Sequence, residues 1–277
     1  MSEDPQGPLS WSGGEFTIPA PHTHTTMTNT SLKGRLALVT GASAGIGAAA
    51  ARALSEAGAH VVCCARRREA LEAVVSSCPS AEALLLDVTD GEACQSALGD
   101  RPFDIVLANA GMAKGNASLM DGDVSDWSQV IDTNVKGVLN TVQPVLNGMK
   151  ERGSGHVITL GSVAGRQVYP GGNVYCATKF AVKALYEALR VELVGTGLRI
   201  TTVDPGMVET EFSMVRFDGD KERADALYDG MTPLTPEDVA DAILWAATRP
   251  AHVDIGEIVL WPTDQASTTL VHRSTTE

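Results

Sequence analysis

RLALVTGASAGIG, residues 35–47, joins an apolar run to three glycines and then to an alanine-rich stretch. The run 35–40 reads as a strand and 46–57 as a helix, so Gly41, Gly45 and Gly47 fall in a strand-to-helix turn. Glycine permits a tight turn and close backbone approach there, while the unpaired N–H groups of a helix start attract a pyrophosphate. The spacing is G-x-x-x-G-x-G rather than the more familiar G-x-G-x-x-G, so a glycine turn without a ligand stays open on these residues alone. Its place between strand and helix favours a nucleotide, with Ser43 and Ile46 in the same cradle.

Outward from this turn, short apolar runs alternate with longer amphipathic ones, the pattern of strands joined by crossover helices. Strands are predicted over 35–40, 60–65, 82–86, 105–109, 155–160, 199–203 and 257–260, and helices over 46–57, 68–77, 91–98, 127–150, 175–194 and 236–248. No repeat or interdomain linker interrupts them. The expected architecture is therefore α/β, a single Rossmann-type doubly wound domain over 31–265 with a seven-stranded parallel sheet flanked by helices. Residues 1–30 are rich in Pro, Gly, Ser and Thr without periodicity and are expected to be a disordered tail, with Met27 as an alternative start. Residues 266–277 are expected to form a C-terminal tail.

A formal net charge of -13 over 277 residues argues against a nucleic-acid partner. No apolar run reaches the roughly 18 residues that span a bilayer, and no signal peptide is legible, so a cytoplasmic location is expected. The five cysteines form no C-x-x-C pair, and Cys63 and Cys64 would face opposite sides of a strand, which reads as buried, reduced thiols. His22 and His24 have no further ligand at useful spacing, and no metal site is expected.

The second strand ends in Arg66 and Arg67, where an enzyme reading the ribose 2′-hydroxyl of NAD would carry Asp or Glu. Guanidinium donors suit a 2′-phosphate, so NADP(H) is favoured over NAD; Arg68 fits a solvated helix start. Asp87 and Val88 follow the third strand and Asn109, Ala110 and Gly111 the fourth, at the carboxyl ends where ligands of open α/β sheets collect. Asp87 is a candidate for the adenine amino group, with helix capping as its ordinary alternative.

Ser162 falls just past the fifth strand, and Tyr175 and Lys179 share one face of a predicted helix at i, i+4. An adjacent ammonium favours the phenolate of a tyrosine whose ordinary pKa is about 10, making Tyr175 a candidate general acid and base. Hydride would move between a nicotinamide and a carbonyl carbon while Tyr175 exchanges the proton on oxygen and Ser162 holds that oxygen. Asn134 is a candidate to hold a water linking Lys179 to solvent. Pro205 and Gly206 form a turn that brings backbone to a flat ring.

With TGASAGIG, NAG, Asn134, Ser162 and Tyr175-Cys-Ala-Thr-Lys179 in this order, the chain resembles the short-chain dehydrogenase/reductase family over residues 32–265. The resemblance implies a catalytic tetrad of Asn134, Ser162, Tyr175 and Lys179, with Tyr175 and Lys179 also on the cofactor. It implies backbone of Val208 and the hydroxyl of Thr210 near the carboxamide and phosphates. It also implies a homotetramer built on the helices 127–150 and 175–194. Thr210-Glu-Phe-Ser-Met-Val-Arg216-Phe resembles a subgroup acting on serine and other short 3-hydroxy acids or reducing sulfoacetaldehyde.

Residues 209–232 lack a clear pattern and read as a lid. Tyr169, Glu209 and Arg216 are the substrate candidates, Arg216 as bidentate partner of an anion and Arg273 as a lesser one. The long N-terminal extension and Trp261-Pro-Thr-Asp-Gln265 depart from the subgroup, so an amino alcohol or aryl ketone stays open, as do a non-catalytic NADP(H) sensor and a methyltransferase.

Overall fold

The computed structural model describes residues 31–274. The expected tail at 1–30, with His22, His24 and Met27, lies outside them, as do residues 275–277. Strands β1 (Leu36–Thr40), β2 (His60–Ala65), β3 (Ala81–Leu85), β4 (Ile105–Ala108), β5 (Gly155–Leu160), β6 (Leu198–Pro205) and β7 (Glu257–Leu260) form one parallel sheet. Its order, β3-β2-β1-β4-β5-β6-β7, reverses direction between β1 and β4, the switch point beside which open sheets bind ligands.

The strands read as continuous apolar runs because both faces are covered. Ala37, Val39, Val61 and Cys63 pack beneath α1 (Gly45–Glu56), α2 (Arg68–Ser76) and α9 (Pro236–Ala247) through Leu54, Leu71, Val239 and Ile243. Leu38, Val62, Cys64 and Val106 meet α3 (Gly91–Leu98), α5 (Gly137–Arg152) and α6 (Asn173–Glu192) through Leu98, Val142, Met149, Val182 and Tyr186. Cys63 and Cys64 thus enter opposite cores, and burial pushes both thiols up to about 12, which keeps them protonated.

Three elements differ from expectation. The helix predicted over 127–150 is α4 (Val124–Ile131), a π-helical segment (Asp132–Lys136) and α5, with the wide turn centred on buried Asn134. The lid contains two short helices, α7 (Phe212–Arg216) and α8 (Lys221–Asp225). Residues 266–274 fold back onto the domain: Ser274 N–H donates to Gly230 O, Arg273 to Leu227 O, and Thr268 to Val168 O. No helix among the described residues is long and apolar enough to cross a membrane.

Candidate active site

The β1–α1 turn is built for backbone approach. Gly41 sits at φ +66°, a left-handed conformation that suits glycine. A Cβ on Gly47 would lie 2.4 Å from Gly41 O and 2.5 Å from Asn109 Nδ2, so the helix can start this close to the turn only without a side chain. Ala44, at the N-cap of α1, supplies no side-chain cap, which leaves N–H groups for a pyrophosphate. Ile46 packs on the core beneath. Asn109 serves the scaffold: its Nδ2 donates to Thr40 O at 2.7 Å, while Asn109 N and Ala110 N both donate to Thr40 Oγ1. These bonds tie the carboxyl ends of β1 and β4 together under the turn.

At the end of β2, Arg67 donates from Nε and Nη2 to Ser43 Oγ and from Nη1 to Glu211 Oε2 at 2.9 Å. Arg66 lies 3.5 Å from Asp87. Burial alone would raise the Asp87 carboxyl, but hydrogen bonds from Thr89 and the charge of Arg66 outweigh it and hold Asp87 below its ordinary value. Val88 is buried and offers its carbonyl to Asn140 Nδ2. Asp204 at the end of β6 takes Arg166 at 2.8 Å, and Ser162 Oγ donates to Pro205 O.

Ser162 caps a 3-10 turn (Val163–Gly165), its hydroxyl accepting from Ala164 N, and stands close enough to the Tyr175 phenol to favour its ionised form. Tyr175 stays partly accessible, yet enough protein surrounds its phenol that burial pushes the pKa well up; the Ser162 hydroxyl and the Arg216 charge pull the other way without cancelling it. Lys179, one turn on, is buried and depressed to about 8 by desolvation, with the Asp204 charge opposing. Its Nζ donates to Leu160 O at 2.8 Å and lies 5.9 Å from the centre of the Tyr175 ring. The expectation that Lys179 draws the phenol down is not met in this geometry, because that ammonium is turned to a carbonyl. Asn134 accepts from Met112 N and donates to Met112 O and Thr178 Oγ1, so its side chain is engaged by protein where a water relay was expected. A Cβ on Gly111 would touch both Asn134 Oδ1 and Lys179 Nζ, which places the two around one glycine. All four expected tetrad residues therefore line the switch-point end of the sheet.

Residues 35–221 match the short chain dehydrogenase family. An uncharacterized oxidoreductase of Mycobacterium tuberculosis is 46% identical over 242 residues, 87% of this chain and 96% of that protein. The chain belongs to the short chain dehydrogenases. An NADP-dependent 3-hydroxy acid dehydrogenase of Salmonella typhi is 42% identical to this short chain dehydrogenase over 86% of its length and all of the relative's. The closed form of a serine dehydrogenase complexed with NADP+ superposes with a TM-score of 0.82 at 40% identity, over 86% of this chain and all of that one.

In this short chain dehydrogenase the segment expected to act as a lid reaches the tyrosine. Phe212 meets Tyr175 edge-on at 5.5 Å between ring centres. Arg216 donates to Gly115 O, Tyr169 Oη and Gly171 O and lies over the Tyr169 ring, tying α7 to two loops at the mouth. Glu209 is exposed at the lid's start, where its charge bears on Tyr228 rather than Tyr175. Val208 O accepts from Tyr228, and the methyl of Thr210 packs against Gly45. Arg273 donates to the carbonyls of Leu227 and Asp229. Three contributors carry no local sequence signal. Gln265 is buried and receives Met207 N–H beneath the Pro205-Gly206 turn, Arg166 holds Asp204, and Glu211 holds Arg67; each pairs across at least 38 residues.

Proposed function

We propose that this short chain dehydrogenase uses NADP(H) to interconvert the secondary alcohol of a short 3-hydroxy acid or hydroxy amino acid with its carbonyl compound. The cofactor assignment rests on the glycine turn, the uncapped start of α1 and the Ser43, Arg66 and Arg67 donors at the adenosine end, and it agrees with what the relatives' names state. Bound there, NADP(H) supplies or accepts the hydride. The observation that carries the reaction is the enclosed Tyr175 phenol, whose ionised form the Ser162 hydroxyl favours and whose ring meets Phe212 edge-on.

Burial keeps Tyr175 protonated at neutral pH, so it is loaded to donate to the carbonyl oxygen in the reducing direction. Ser162 Oγ holds the same oxygen, and Lys179 supplies a buried positive charge at the ring's side. Arg216 commits three of its five N–H groups to the protein, leaving one on each Nη for a substrate carboxylate. Tyr169 fixes that guanidinium. A homotetramer through α4, α5 and α6 is proposed from the family resemblance.

NADPH consumption with a panel of 3-oxo acids, amino ketones and aryl ketones tests the assignment. The 3-oxo acids should give the highest kcat/KM, and Tyr175→Phe should lose roughly 10²- to 10⁴-fold with the fold intact. An aryl ketone leading the panel would overturn the anionic substrate; turnover unaffected by Tyr175→Phe would overturn the acid–base assignment.

A further inference from the structure

The guanidinium that suits a 2′-phosphate already holds an anion. Arg67 Nη1 meets Glu211 Oε2 at 2.9 Å while Nε and Nη2 share Ser43 Oγ, so a carboxylate from the lid stands at the adenosine end of the cleft. Glu211 is not on a free arm. The preceding Thr210 packs its methyl on Gly45, the following Phe212 meets Tyr175, and Arg216 fastens the far end of α7 to Gly115, Tyr169 and Gly171. With both flanking residues in contact, the backbone of Glu211 stays beside Arg67, and its carboxylate remains within reach of whatever Arg67 binds. A ribose 2′-hydroxyl is neutral and tolerates that neighbour, whereas a phosphate carrying about two negative charges is repelled by it.

We infer that Glu211 is a specificity-determining residue: it competes with the cofactor's 2′-phosphate for Arg67 and holds the preference for NADPH over NADH below what Ser43, Arg66 and Arg67 would otherwise give. This rests on the NADP(H) assignment above. Both partners are more than half exposed, at 55% and 60% of their side-chain surface, so the effect is modest and screened by salt.

Equilibrium titration of nicotinamide fluorescence, without substrate, reads it directly. Glu211→Gln should tighten NADPH by roughly three- to tenfold at low salt, leave NADH within about twofold, and lose most of the gain near 0.5 M salt. Glu222→Gln, an acid of the same lid on α8, should leave both affinities unchanged, and in an Arg67→Ala background Glu211→Gln should lose its selectivity. Unchanged NADPH affinity in Glu211→Gln, weaker NADPH binding, or equal tightening of both cofactors overturns the competition. Arg67→Ala separates the two levels. If it weakens NADPH while Glu211→Gln does nothing, only the competition fails; if it leaves NADPH unchanged, the placement of the 2′-phosphate at Arg67 fails with it.

Discussion

A phenol that must both give and take a proton is set by what surrounds it, and at Tyr175 the surroundings pull in opposite directions. Burial disfavours the phenolate, while Ser162 and Arg216 favour it, and burial prevails. The sign follows: the raised pKa keeps the proton on at neutral pH, so reduction starts from the correct protonation state. Oxidation of the alcohol needs the phenolate and should gain from alkali. We expect kcat/KM for oxidation to climb as pH rises above about 7, until Lys179, depressed to about 8, gives up its charge. Arg216→Ala removes a charge that stabilises the phenolate and should move the climb to higher pH, whereas Arg216→Lys keeps a charge and should move it less. An oxidative profile unmoved by Arg216→Ala would show that the guanidinium charge does not bear on the phenol.

Among the elements, those dictated by backbone chemistry were legible in the sequence and those dictated by distant partners were not. Gly41 and Gly47 announce the β1–α1 turn because no other residue fits: at Gly47 even a methyl group would strike Gly41 O. Gly47→Ala should therefore cost about 1–3 kcal/mol of stability and weaken NADPH binding roughly tenfold or more, measurable by urea melts and fluorescence titration. Stability and affinity equal to wild type would show that the turn relaxes freely. The seven strands were readable as apolar runs because helices cover both sides. The π turn at Asn134 was not, since residues 124–152 carry a helical pattern throughout. What widens the turn is tertiary: Asn134 is held by both backbone groups of Met112 and by Thr178 of α6. Gln265 and Glu211 escaped for the same reason, their partners being 58 and 144 residues away.

For the molecule as a whole, the site stands on a sheet whose buried polar groups include a histidine, and this one couples stability to pH. His156 on β5 is buried, with Nε2 2.7 Å from Thr201 Oγ1 and Nδ1 without a hydrogen-bond partner among the described residues. Burial, with the Arg199 charge on the adjoining strand, holds its pKa well below the ordinary value. The folded protein thus keeps His156 neutral where the unfolded chain takes up a proton near pH 6.5. Below that pH the unfolded state binds more protons, so stability falls as pH falls, by up to about 1.4 kcal/mol near pH 5.5 from this residue alone. The carboxylates titrate alike in wild type and in His156→Gln, so comparing the two isolates the histidine. Urea melts near pH 7.5 and pH 5.5 should show the variant losing about 1.4 kcal/mol less than wild type over that interval. Equal losses would mean that His156 takes up its proton in the fold as easily as outside it, and the sheet would then owe none of its acid sensitivity to this enclosure.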